Sequence, residues 1–129
     1  MLIDHNNEET LPIVLASRCW AGHSIYPHTK MDEGRMAHLV QQYGADRIVI
    51  NSAADWGISD PLKVPKTVAV MREQGIAEET IARIVWDNPV AFFGQTGRLV
   101  LAEAPSEIDL TRKHEGNTLL RGDTTLGRR

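Results

Sequence analysis

Two residues in this chain pair a metal-ligating side chain with a place at the end of a predicted strand. His5 closes the opening run Met1-Leu2-Ile3-Asp4, and Asp55 follows Arg47-Ile48-Val49-Ile50-Asn51 by a few residues. A neutral imidazole and a carboxylate are good ligands for a divalent ion such as zinc, manganese or magnesium. A carboxylate beside metal-bound water can also take its proton, giving a nucleophile near neutral pH. Asp55 is therefore the candidate catalytic base as well as a metal ligand. A zinc site takes about four partners, so the pair predicts part of a site rather than a whole one. Lys30 follows a strand end and is a candidate contact for an anionic substrate. Trp56 adjoins Asp55 and is a candidate wall of the substrate pocket.

Those positions make sense only if the strands beneath them run parallel. Leu2–His5, Trp20–Ile25 and Arg47–Asn51 read as strands, the last with three consecutive β-branched residues, as in a strand buried on both faces. Between them lie helical stripes. Leu11, Val14 and Leu15 follow an Asn6 or Asn7 cap. Met36, Leu39, Val40 and Tyr43 follow Asp32 and stop at Gly44. Val64, Val68 and Met71 follow Asp60-Pro61 and stop at Gly75. Ile81, Ile84 and Val85 follow Glu78-Glu79 and are expected to stop at Asn88-Pro89. The order β-α-β-α-β-α-α predicts an α/β fold with parallel strands. With helices for one face only, it fits part of a (β/α)8 TIM barrel, whose opposite strands fill the inside, better than a doubly wound sheet. Residues 1–101 form the partial barrel domain. Residues 102–129, where periodicity fades and Gly, Thr and Arg accumulate, are expected to be a poorly ordered extension.

Composition narrows the classes. Apolar residues are 42% and charged residues 24% of 129, and the formal charge is −3. A globular domain fits; a dedicated nucleic-acid coat or binder of anionic membranes does not. The single cysteine, Cys19, excludes an internal disulfide and any site built from several cysteines. It reads as a structural thiol in a reducing, cytoplasmic setting. His23 reads as a core histidine hydrogen-bonded to a carbonyl, and His28 and His38 as solvent-facing. Trp20 and Trp86 read as core or pocket wall.

Several motifs in order carry a family resemblance. Asp46-Arg47-Ile48-Val49-Ile50-Asn51-Ser52-Ala53-Ala54-Asp55-Trp56-Gly57 resembles the last barrel strand of the amidohydrolase superfamily, and Ile3-Asp4-His5-Asn6-Asn7-Glu8-Glu9-Thr10 its sixth. Tyr26-Pro27-His28-Thr29-Lys30, Ser59-Asp60-Pro61-Leu62, Asp87-Asn88-Pro89-Val90-Ala91-Phe92-Phe93 and Glu115-Gly116-Asn117-Thr118-Leu119-Leu120-Arg121-Gly122 are similar to the TatD-related, EboC-like branch. The resemblance implies a metal-dependent hydrolase acting on a phosphodiester, ester or amide bond of a small-molecule or phosphodiester substrate. It implies His5 as the strand-six ligand or substrate contact and Asp55 as the strand-eight ligand or general base.

The family's His-x-His pair on strand one, its strand-four carboxylate and its strand-five histidine have no counterpart here. The chain is therefore expected to be the C-terminal part of such an enzyme, about strands six to eight, and inactive alone. The rival expectation is a non-catalytic truncated product, or an interaction module that needs a partner half-barrel. Unpaired strand edges, and an apolar inner face carrying Ile3, Ile48 and Ile50 or their neighbours one residue along, predict self-association. No membrane span or leader is expected.

Overall fold

In a computed structural model the described residues are 1–27, 31–53, 60–101 and 110–111. Three strands, β1 (Leu2–Ile3), β2 (Trp20–Ile25) and β3 (Ile48–Ser52), form one sheet in the order β1-β2-β3, and both pairings are parallel. Each strand is linked to the next through a helix, α1 (Leu11–Ala16) and then α2 (Glu33–Tyr43). Helices α3 (Lys63–Glu73), α4 (Glu78–Ala82) and α5 (Asn88–Gly94) follow, the last two joined by a π-helical turn, Arg83–Asp87. The mixed α/β class and the parallel pairing agree with the strand pattern. Among the described residues no helix is long and apolar enough to cross a membrane.

Register decides which side chains share a face. Ala21 stands opposite Ile48, His23 opposite Ile50 and Ile25 opposite Ser52. Because strand side chains alternate, Ala21, His23, Ile25, Ile48, Ile50 and Ser52 lie on one face. There Ala21, Ile25, Ile48 and Ile50 join Leu11, Met36, Leu39, Val40, Met71, Ile81 and Ile84 in a single buried apolar cluster. Trp20, Gly22, Ser24, Val49 and Asn51 occupy the other face. Of the two alternatives for the inner face, the neighbours one residue along apply: Ile48 and Ile50 lie beneath the helices, and Val49 and Asn51 take the opposite side. That side is mixed: Trp20 and Val49 are apolar, Gly22, Ser24 and Asn51 small or polar, and Val49 and Ser24 are both buried. The self-association argument also draws on the strand edges. Even there Asn88 intervenes, its buried side-chain amide donating to the carbonyls of Ala45 and Ile48, each at 2.7 Å.

The punctuation of the helices follows the sequence in most places. The Asp32 carboxylate accepts from the Arg35 amide at 2.8 Å, and Gly44 and Gly75 take the left-handed φ of +76° and +75° that favours glycine. Three boundaries differ. α3 starts at Lys63, past Asp60-Pro61, and the Asp60 carboxylate accepts from the Leu62 amide at 2.9 Å ahead of it. Asn7 does not cap α1 directly; its side-chain oxygen accepts from the amides of Glu9 and Thr10, making a turn, and the helix starts at Leu11 with Pro12 in its first turn. Nor does Asn88-Pro89 end the helical run. The backbone widens to a π turn, in which the Asn88 amide donates to the Arg83 carbonyl five residues back, and α5 then begins with Pro89 where a missing N–H is tolerated.

Arg47 fastens the bottom of the sheet. At φ +55° it sends its guanidinium to the carbonyls of Leu15 (2.7 Å), Ser17 (2.6 Å) and Cys19 (3.0 Å). At the same end Trp20 meets Phe92 of α5, ring centroids 5.5 Å apart, and Phe92 meets Phe93 edge-on. Trp86, expected in the core or a pocket wall, is instead exposed.

Candidate functional site

Parallel strands deliver the residues that follow them to one end of the sheet. Here that end gathers Asp4 and His5 after β1 and Ile25-Tyr26 at the end of β2. A cleft of about 240 Å³ opens there, lined by His5, Asn6, Asn7, Ser24, Met31 and Arg35. It is smaller than the roughly 300–1,000 Å³ of drug-sized ligand sites, so it suits a small polar group.

Asn6 builds the floor. It is buried, and its backbone amide donates to the Gly22 carbonyl at 3.0 Å. Its side-chain nitrogen donates to Ile3 O (2.6 Å) and Gly22 O (3.1 Å), so one residue prolongs the β1–β2 ladder past the last strand pair. Its Oδ1 is buried with no hydrogen-bond partner.

His5, the expected strand-end ligand, does line the cleft. It is exposed, its φ is +61°, and its ring lies 6.5 Å from that of Tyr26. The positive φ breaks the strand's alternation, so His5 does not continue either face of β1. Asp4 does. It stands over Gly22, where an added Cβ would come within 2.7 Å of Asp4 Oδ1. The His5 amide donates to Oδ1 at 2.8 Å, and the Ser24 hydroxyl donates to Oδ2 at 3.2 Å.

Opposite charges brace the rim. Arg35 of α2 donates from Nε and Nη2 to the two carboxylate oxygens of Glu8 at 2.8 and 2.6 Å. This hydrogen bonding holds the Glu8 carboxyl at about 2, against the opposing effect of partial burial. Lys63 pairs with Glu33 at 2.5 Å, and Lys66 with Asp60 at 2.6 Å, joining the starts of α2 and α3.

His23 lies in the core, as expected. It is fully buried on the helix-facing side; among the described residues its nearest polar neighbour is the Val49 backbone, and neither ring nitrogen makes a hydrogen bond of full geometry. Burial pushes its pKa down to about 4; the charges of Asp4 and Glu8 pull the other way without overcoming it. The ring is neutral at physiological pH.

Asp55, Trp56 and Lys30 lie outside the described residues, as do His28 and, but for Leu110 and Thr111, the expected extension at 102–129. Of the expected site, then, only His5 is seen in the cleft. His38 is exposed as expected, and Cys19 is a half-buried free thiol. Among the described residues no group of three or more His, Cys, Asp or Glu side chains is arranged to hold a metal ion. Asn6, Ser24 and Arg35 escaped the sequence reading. The one available signal was Gly22, since a glycine inside a strand often marks a close approach by another chain segment.

Comparison of the chain with protein-family models, with curated proteins and with solved structures found no match.

Proposed function

We propose that this chain supplies the C-terminal strands of a (β/α)8-barrel, TatD-like metal-dependent hydrolase, and that the end of the sheet carrying Asp4 and His5 is part of its active site. One observation carries the reading: parallel strands joined through helices place a carboxylate, an imidazole and a buried serine beside a polar cleft at their C-terminal ends. This is the end at which barrels of that kind keep their working residues. The motif resemblance supplies the reaction class.

The donors available, carboxylate and imidazole with hydroxyl and amide groups around them, suit a hard or borderline divalent cation with water completing its shell. When bound, such an ion lowers the pKa of water and polarises the bond to be cleaved. The chain's own residues have separate tasks. His5, and Asp55 after β3, would hold the ion, and Asp55 would receive the proton from the attacking water. Lys30 and Trp56 would face the substrate. Arg35, held by Glu8, fixes the rim against which the substrate lies. The lone thiol, Cys19, goes with a reducing, cytoplasmic setting.

The rival reading, a non-catalytic interaction module completed by a partner half-barrel, draws on the strand edges. The backbone groups of Ile50 and Ser52 on the outer side of β3 have no strand beside them among the described residues, and such an edge is a template for another strand.

One experiment separates the two. Hydrolysis of a chromogenic phosphodiester is measured with Mn2+ or Zn2+, for the chain alone and after coexpression with a polypeptide carrying the first five strands of a TatD-like barrel. The chain alone is expected to bind metal weakly and turn nothing over. The complemented barrel is expected to be active, and Asp55→Ala is expected to abolish its turnover without unfolding it. A complemented barrel that assembles and stays inert would favour the interaction module. Activity that survives Asp55→Ala would remove Asp55 from the mechanism.

A further inference from the structure

Among the described residues, the side-chain atoms buried without a full hydrogen bond belong to two residues that adjoin Gly22: Asn6, through Oδ1, and His23, through both ring nitrogens. Asn6 hangs on the Gly22 carbonyl, to which its backbone and side-chain nitrogens donate at 3.0 and 3.1 Å, and His23 is the next residue along β2. Asp4 closes the same stretch, lying over Gly22 and accepting from the hydroxyl of Ser24, on the far side of His23. A neutral imidazole tolerates such a seat. A charged one is costly to bury unless it is paired, and none of the ion pairs among the described residues includes His23.

The charges that act on this ring come from one side. β1, β3 and α1, which pack against β2, carry no titratable side chain. The charged residues of α2 are engaged or turned outward: Glu33 pairs with Lys63, Arg35 with Glu8, and His38 is exposed. Farther round, Arg72 and Arg83 pair with Glu78 and Asp46. What pulls on the ring is Asp4 and Glu8, both on the segment of residues 4–10 between β1 and α1.

That segment is also lightly held. β1 pairs with β2 only at Leu2 and Ile3, against five residue pairs between β2 and β3. Beyond Ile3 the ties are the Asn6 bonds, the Asn7–Thr10 turn and the Glu8–Arg35 pair, whose partners are half-exposed; such pairs contribute little. The same segment supplies His5, Asn6 and Asn7 to the cleft.

We propose that His23 is an acid-sensitive latch on the cleft: when the ring takes up a proton, residues 4–10 lift from β2 and carry that wall of the cleft away, before the rest of the sheet and its helices come apart. Glu8, held near 2 by Arg35, stays ionised throughout and draws the charged ring outward. The latch rests on the hydrolase reading only in taking the cleft for part of an active site.

The sign follows from linkage. The ring titrates near 6.5 when exposed and near 4 when closed in, so protons favour the open segment below 6.5. The opening equilibrium should rise about thirtyfold between pH 7.5 and pH 5.

The test is amide hydrogen exchange of the 15N-labelled full chain at those two pH values, each expressed as protection against the unstructured rate. The amides of Asn6 and Leu11, bonded to the carbonyls of Gly22 and Asn7, report on the segment; that of Ala21, bonded to Arg47, reports on the sheet. Asn6 and Leu11 are expected to be at least about tenfold less protected than Ala21 at both pH values, as a local opening requires. Their protection is expected to fall about thirtyfold on acidification. His23→Leu is expected to remove that fall and His5→Ala to keep it. Should His23→Leu fail to fold, His23→Gln, neutral at every pH, makes the same comparison.

Asn6 as well protected as Ala21 would mean that only global unfolding frees the ring, and overturns the latch. So does a fall that survives in the His23 variant, or one that vanishes in His5→Ala. If the fall follows His23 and the complemented barrel is inert, the hydrolase reading fails and the latch stands. An active barrel from a chain whose Asn6 protection ignores pH gives the reverse.

Discussion

The two faces of the sheet are built from alternate residues of the same strands, yet they do different work. On one, Ala21, Ile25, Ile48 and Ile50 vanish into a cluster with four helices' worth of Leu, Val, Met and Ile. On the other, beyond Trp20 at its lower end, Gly22, Ser24, Val49 and Asn51 present small or polar side chains, and Asp4 lies over Gly22. Burial alone does not distinguish the faces, because Ser24 and Val49 are as inaccessible as Ile50. The difference is chemical: the first face excludes water from apolar groups, and the second arranges hydrogen-bonding groups around a charge. Stability should therefore reside on the first face and ligand binding on the second, and single substitutions can test that division.

The largest expected effect is on the apolar face. Ile25 is fully buried at the centre of the sheet. Ile25→Ala removes apolar contacts and leaves a cavity among groups that cannot collapse fully, so it should cost about 2–5 kcal/mol in chemical denaturation. A loss below about 1 kcal/mol would mean that the helix-facing cluster is not what holds the chain together.

His23 is the titratable residue planted in that apolar face, and acid should expose it. The unfolded chain takes up a proton on this imidazole near 6.5, the folded chain only near 4. Between those values protons favour the unfolded state, so stability contributed by the neutral ring is present above 6.5 and declines as pH falls toward 4. The difference amounts to about 3 kcal/mol. His23→Leu should flatten the decline, read from melts between pH 7 and pH 4. A variant with the wild-type slope would assign the acid sensitivity to another group.

How far the sequence discloses this division can be judged residue by residue. The strands and their direction were legible, because β-branched runs alternate with helical stripes, two of which end in a glycine that takes positive φ. The assignment of faces was not. Ile48, Val49 and Ile50 are all apolar and β-branched, so period-two alternation carries no contrast there, and only the register with β2 settles which two meet the helices. The site was partly legible. A polar residue after a strand marks the working end, but choosing between the adjacent Asp4 and His5 depends on a backbone turn at His5 that no side chain announces. Asn88-Pro89 looked like a stop because proline lacks an amide; a π turn placed that gap at the start of a helix, where it does no harm.

The smallest expected effect comes from the residue next to Ile25. Ser24 is also buried, but its side chain points to the other face, and its hydroxyl donates to Asp4 at 3.2 and 3.4 Å. Those distances are long for O–H···O hydrogen bonds, which cluster at about 2.7–2.8 Å. The bond is therefore weak, and an alanine fills nearly the same space without the hydroxyl. Ser24→Ala should change unfolding free energy by less than about 1 kcal/mol, within the usual net worth of one hydrogen bond. The hydroxyl is the only side chain that donates to the Asp4 carboxylate among the described residues, and Asp4 is exposed, so water can replace it. Neighbouring substitutions on one strand should then differ in size: Ile25→Ala a large loss of stability, Ser24→Ala a small one. If Ser24→Ala destabilised the chain as much as Ile25→Ala, the face carrying Ser24 would be a second core.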